Sequence, residues 1–266
     1  MIAAMVGEIE TKRRRRGIYL LPNLFTTAAL FAGFYAIVAA MNGRFEVAAV
    51  AIFVAMVLDG ADGRIARMTN TESAFGAEYD SLSDVISFGL APALVLYSWA
   101  LADLGKLGWL GAFFYAAATA LRLARFNTQV GRADKRFFQG LPCPPAAAVA
   151  AGMVWVAAQY DVTGFALGLA ALVVAVLLGV LMVSNIRYRS FKEFDLRGRV
   201  PFVTVLVVVL VFAFVSLNPA LVLFTCFGVY ALSGPVLTLT GIRRRRGERA
   251  RVAADGDARP PAREGQ

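Results

Sequence analysis

The chain has 266 residues, 59% of them hydrophobic and 17% charged, and a formal net charge of +9. A soluble globular domain is nearer half apolar and a quarter charged, and here the charges are gathered between long apolar runs, so a soluble fold is excluded. The basic balance leaves nucleic-acid binding or a membrane surface, and its placement along the chain decides between them.

Residues 1–17 are a polar, basic arm that carries Lys12 and the run Arg13 to Arg16. A helix needs about 20 apolar residues to cross a bilayer. Eight such spans follow, at 19–41, 46–67, 77–101, 107–125, 143–160, 163–184, 201–217 and 219–240. Asn218 and Pro219 make a tight turn between the last two. With the N-terminus inside, 25 of the 27 Lys and Arg fall on the inner side, and only Arg44 and Lys106 fall outside. That asymmetry is what the positive-inside rule expects. It predicts cytoplasmic termini and attraction to anionic lipid, with no nucleic-acid partner. The first span is too long, and lacks a small-residue cleavage site, to be a removed leader. The expected architecture is all-α, a polytopic transmembrane helical bundle over 18–240. The Arg-, Gly- and Pro-rich residues 241–266 are expected to be a disordered cytoplasmic tail. Cys143 and Cys226 lie in or beside apolar segments and read as small hydrophobes.

Four acids interrupt the second and third spans: Asp59, Asp62, Asp80 and Asp84. A carboxylate at the centre of a bilayer helix costs about 2.5–3.5 kcal/mol, so four need water, cations or hydrogen bonds. A lone intramembrane Asp is usually a helix–helix hydrogen bond, but these come in pairs three and four residues apart, each pair on one helix face. If the two faces oppose, the carboxylates converge. Hard oxygen ligands without Cys or His suit Mg²⁺ or Mn²⁺. A proton relay through a channel would spread acids across the bilayer, whereas these cluster at one end. Gly60, Gly63 and Gly76 remove side chains beside the acids, Ala66 keeps the same face open, and Arg67 offers a guanidinium suited to phosphate oxygens. The chain contains no histidine, so a general base must be a carboxylate, Lys, Tyr or Cys.

The pattern Asp59-x2-Asp62-Gly63-x2-Ala66-Arg67-x8-Gly76-x3-Asp80-x3-Asp84 resembles, at every fixed position, the signature of the CDP-alcohol phosphatidyltransferase family. The resemblance implies a six-helix core, here followed by two further C-terminal spans, in a homodimer whose site opens to the cytoplasmic leaflet of a bacterial-type inner or plasma membrane. It implies that Asp59, Asp62 and Asp80 hold divalent metal at the CDP pyrophosphate. Asp84 sits by the metal as the base, and Gly63, Ala66, Arg67 and Gly76 cradle the nucleotide. Asn23 and Thr26 either hydrogen-bond the nucleotide or fill an interhelical contact.

Three stretches resemble the serine-using branch of that family: Asp80-Ser-Leu-Ser-Asp84-Val-Ile-Ser-Phe-Gly-Leu-Ala-Pro92, Leu121-Arg-Leu-Ala-Arg-Phe-Asn127 and Phe138-Gln-Gly-Leu-Pro-Cys-Pro144. So does Pro22-Asn-Leu-Phe-Thr26. The implied reaction moves the phosphatidyl group of CDP-diacylglycerol to the hydroxyl of L-serine, giving phosphatidylserine and CMP. Sister enzymes of the family use glycerol phosphate, inositol phosphate or choline instead. Serine brings a carboxylate, for which Arg125 is the first expected partner, with Arg122 and Asn127 beside it.

Overall fold

The computed structural model describes residues 23–69, 71, 73–129, 137–162, 164–189, 209–210, 213 and 215–257. The basic arm 1–17, most of the span 201–217 and residues 258–266 lie outside them. Helices stand at the other seven predicted spans. They are α1 (Asn23–Met41), α2 (Phe45–Thr69), α3 (Ala74–Leu104), α4 (Lys106–Gln129), α5 (Cys143–Gln159), α6 (Phe165–Val183) and α7 (Pro219–Asp257). Five of them, α1, α3, α4, α6 and α7, are long and apolar enough to cross a bilayer. α5 is shorter, and α2 carries Asp59, Asp62, Arg64 and Arg67 toward its C-terminal end. Large apolar side chains such as Phe31, Phe113, Val173 and Val229 point outward and exposed, as lipid rather than water would allow. The chain is a polytopic helical membrane protein.

Lipid tails are as apolar as the helix surfaces, so packing in a bilayer relies on close backbone approach and interhelical hydrogen bonds. Both appear where α1 meets α3. Ser83 Oγ donates to Thr26 O and Ser87 Oγ to Ala29 O, each at 3.2 Å. A Cβ on Gly33 would stand 2.7 Å from Ser87 Cα, so only glycine permits this approach. The centre of the bundle is similarly built of small residues, notably Ala146 to Ala151 of α5, all buried. α5 packs between α2 and α7, and α4 lies along α6.

α3 is not regular. It is α-helical over Ala74–Asp84, widens to a π turn at Val85–Leu90, resumes as α at Ala91–Leu96, and widens again at Tyr97–Leu101. Pro92 has no N–H to give, which in a regular helix would strand the carbonyl of Phe88 four residues earlier. Tyr115 of α4 supplies a donor, its hydroxyl reaching Phe88 O at 3.1 Å. The first π turn therefore begins on the residue after Asp84 and is supported from α4, in keeping with the habit of π turns to occur at functional sites.

Two features depart from the sequence reading. The loops after α4 and α6, read as helix connections, contribute three-residue strands, β1 (Phe137–Gln139) and β2 (Arg187–Arg189), paired antiparallel with Phe138 opposite Tyr188. Gly140, at φ +76°, follows β1, and a Cβ there would collide with Met182 O. Runs of three residues are too short for a period-2 pattern to register. Secondly, residues 241–257, expected to be disordered, continue α7 to Asp257. Elongating an existing helix needs no new nucleus, and Arg, Ala and Glu propagate it well.

The chain runs up and down through the bundle. Asn218 Nδ2 donates to Tyr160 Oη at 3.1 Å, placing the start of α7 beside the C-terminal end of α5. The N-terminal ends of α3 and α5 and the C-terminal ends of α2, α4 and α6 gather at the opposite end.

Candidate active site

The acid cluster forms at that gathered end. α2 delivers Asp59 and Asp62 from its last turns, and α3 delivers Asp80 and Asp84 just before its first π turn. Carboxylate oxygens of Asp59, Asp62 and Asp80 lie within 4.8 Å of one another. Asp59 is also within hydrogen-bond reach of Asp84. The two helix faces do oppose, and the four acids converge.

Thr26 answers one of the two readings offered for it. Its Oγ1 donates to Asp62 Oδ2 at 2.7 Å, and both residues are buried. This is an interhelical contact that aims a carboxylate. Asn23, one turn earlier, has its side-chain oxygen 3.4 Å from where a Cβ on Gly76 would sit. Gly76 N–H is capped by Ser73 Oγ at 3.0 Å. Thr27, between them, meets the Tyr79 hydroxyl at 2.9 Å. The N-terminal turns of α1 and α3 are thus fastened together directly beside the acids.

Gly60 and Gly63 face open space, since a Cβ on either would meet nothing within 4 Å. Gly60 lines a groove of about 530 Å³ on the outside of α2, with Met56, Val57, Ala61, Arg64 and Ile65. Arg64 was not singled out from the sequence; its place in the groove appears only in three dimensions. Ala66 is partly buried and Arg67 is exposed on the last turn of α2.

The arginines of α4 separate. Arg125 Nη1 donates to Val183 O at 3.2 Å, and its Nη2 donates to Gln139 Oε1 and Asn185 Oδ1, each at 2.5 Å. It ties the end of α4 to β1 and to the chain leaving α6. Arg122 points elsewhere: its Nη1 donates to Cys143 Sγ at 3.1 Å, and its Nε is buried with no partner. Cys143, read as a small hydrophobe, is an acceptor for this guanidinium. Asn127 Nδ2 donates to Ser81 Oγ at 3.0 Å, fastening α4 to α3 next to Asp80.

Whether the cluster suits a divalent cation can be judged from its donors. They are hard carboxylate oxygens, the donor class that Mg²⁺ and Mn²⁺ prefer. Asp80 Oδ1 is buried without a hydrogen-bond partner. A buried acceptor left bare is costly, and a cation among these oxygens would satisfy it. The residues fit such a metal.

Residues 19–183 match the CDP-alcohol phosphatidyltransferase family over their whole length. The chain belongs to that family. As a CDP-alcohol phosphatidyltransferase it is 38% identical over 217 residues to a Helicobacter pylori protein named CDP-diacylglycerol–serine O-phosphatidyltransferase, covering 82% of this chain and 90% of the relative. It is 34% identical to a protein of the same name from Methanocaldococcus jannaschii, over 71% of this chain and 83% of that one. An archaetidylserine synthase of Methanothermobacter thermautotrophicus is 36% identical over 63% of this chain and 69% of its own length. The matched family region runs from just before α1 to the end of α6, and α7 lies beyond it.

Proposed function

We propose that this chain transfers the phosphatidyl group of CDP-diacylglycerol to the hydroxyl of L-serine, releasing CMP. The observation that carries the reading is the convergence of Asp59, Asp62 and Asp80 within 4.8 Å in a chain of this family. The serine-acceptor names of the relatives support the choice of alcohol.

In this reading Asp59, Asp62, Asp80 and Asp84 hold Mg²⁺ or Mn²⁺. When bound, the cation neutralises phosphate charge and polarises the phosphorus under attack. Thr26 keeps Asp62 turned toward that position. Gly63, Ala66 and Gly76 leave room for the nucleotide, with Asn23 at its edge, and Arg67 meets phosphate oxygens with a two-pronged guanidinium. Asp84 takes the proton of the serine hydroxyl. The serine oxygen then bonds to the lipid-side phosphorus, the bond from that phosphorus to the bridging oxygen breaks, and CMP departs with the electron pair.

The test is competitive. Purified protein in mixed micelles is given CDP-diacylglycerol with equal serine, glycerol 3-phosphate, inositol phosphate and choline, and the lipid product is identified by mass spectrometry. Phosphatidylserine as the main product supports the reading. A different phosphatidyl alcohol assigns the chain to a sister activity.

The charge asymmetry further supports a cytoplasmic site, with both termini on that side, and the family resemblance supports a homodimer. Reporter fusions at either terminus should be active only in the cytoplasm. An external C-terminal reporter contradicts the eight-span arrangement.

A further inference from the structure

We propose that Arg122, rather than Arg125, binds the carboxylate of the acceptor and sets the enzyme's preference for an amino-acid alcohol; this rests on the serine reading above. A close approach and a hydrogen bond hold α4 against α3. On one side a Cβ on Gly89 would stand 3.2 Å from Thr119 Cβ. On the other, Asn127 donates to Ser81 at 3.0 Å. Arg122 lies between them on α4, as Asp84 lies between Ser81 and Gly89 on α3. The guanidinium is therefore carried on the stretch of α4 that runs alongside the proposed base. Cys143, its 3.1 Å partner, also lies within electrostatic reach of Asp84 and Asp59.

The two arginines differ in what they still need. Arg125 is already held by three oxygens, from β1, the last residue of α6 and the chain leaving it. Its role is positioning, closing β1 and the end of α6 against α4. Arg122 has a neutral sulfur on Nη1 and nothing on Nε, which is buried. A guanidinium cannot shed its proton, and a buried donor without an acceptor is costly. The arrangement is one anion short. An acceptor whose hydroxyl is directed at Asp84 and whose carboxylate reaches Arg122 would supply it with two parallel hydrogen bonds. A carboxylate entering this partly dehydrated site has the same need, since without a cation its desolvation is uncompensated. Tyr230 of α7 also lies within electrostatic reach of Arg122, its ring tilted against Tyr188 of β2 at 5.6 Å. The helix that follows the family core thus also comes close to the guanidinium.

The experiment compares serine with serinol, which keeps the hydroxyl and the amine but replaces the carboxylate by a neutral hydroxymethyl group. CMP release is measured for the wild-type protein and for Arg122→Gln and Arg122→Lys, with CDP-diacylglycerol KM determined in parallel. The expected result is a loss of about 30-fold or more in serine kcat/KM for Arg122→Gln, the weight of hydrogen bonds to a charged group. The loss with serinol should be under threefold, so the preference for serine collapses. Arg122→Lys should raise the serine KM about tenfold, because the charge stays and the fork is lost. If Arg122→Gln does not fold, the serine-to-serinol ratio of Arg122→Lys decides. An unchanged ratio, or an equal fall with both acceptors alongside a raised CDP-diacylglycerol KM, overturns the assignment. If the wild-type protein releases no CMP with serine, the serine reading itself fails, and that outcome is distinct from an unchanged ratio.

Discussion

Asp84→Asn should abolish transfer, lowering kcat by about 10³-fold or more, while CDP-diacylglycerol still binds. The carboxylate and the amide have nearly the same shape, so the substitution isolates the loss of a proton acceptor, and general-base catalysis is worth roughly 10²–10⁴ on its own. Asp84 is the last residue before the π turn and lies within hydrogen-bond reach of Asp59. Any share it takes in holding metal adds to the loss. Binding is read separately, from the thermal stabilisation that CDP-diacylglycerol gives the detergent-solubilised protein. Asp59, Asp62 and Asp80, the acids proposed to hold metal at the nucleotide, remain, so part of that stabilisation should survive. Asp59→Asn should show the opposite balance, with stabilisation by the donor lost first. Turnover of Asp84→Asn near the wild-type rate removes it from the catalytic role.

Chelation should have the second large effect. With EDTA in excess, CMP release should fall at least about 100-fold, and Mg²⁺ or Mn²⁺ should restore it. The reason is electrostatic. Several carboxylates gathered at one end of a membrane bundle repel one another and would repel a pyrophosphate brought among them. Asp62 is relieved only by hydrogen bonds from neutral donors, the Thr26 hydroxyl and the Gly63 backbone, and Asp80 Oδ1 has none. Neutral donors of this kind cannot balance the combined charge of acids and substrate, and a divalent cation can. Full activity in excess chelator would mean that the acids work without metal.

Much of this site was legible in the sequence because its geometry is helical. Spacings of three and four put Asp59 with Asp62 and Asp80 with Asp84 on single faces, and the apolar lengths around them made those faces part of a membrane bundle. What spacing could not supply was the partner across the bundle. The spacing leaves Thr26 open to a nucleotide contact or an interhelical one, and the 2.7 Å bond to Asp62 is an interhelical contact. Arg125 is the first expected partner for a carboxylate because it ends the fourth span beside the loop of Gly140. Its acceptors, Gln139, Asn185 and Val183, lie 14 to 60 residues away and give no local signal. Cys143 was hidden for the same reason, since a thiol at the start of an apolar helix carries no sign that Arg122 will meet it. The widening of α3 after Asp84 was equally silent. Pro92 marks an irregularity in its helix, but the support that Tyr115 gives to Phe88 O depends on the register of α4. The helical continuation of α7 past Gly241 opposed the composition of the tail, which argued for disorder.

The stoichiometry of the transfer is its sharpest test. Purified protein supplied with CDP-diacylglycerol, ¹⁴C-serine and Mg²⁺ or Mn²⁺ should release one CMP for each serine that enters lipid. The release should stop when either serine or the metal is withheld. CMP release that proceeds at the same rate without serine, or serine-independent formation of another phosphatidyl product, contradicts it.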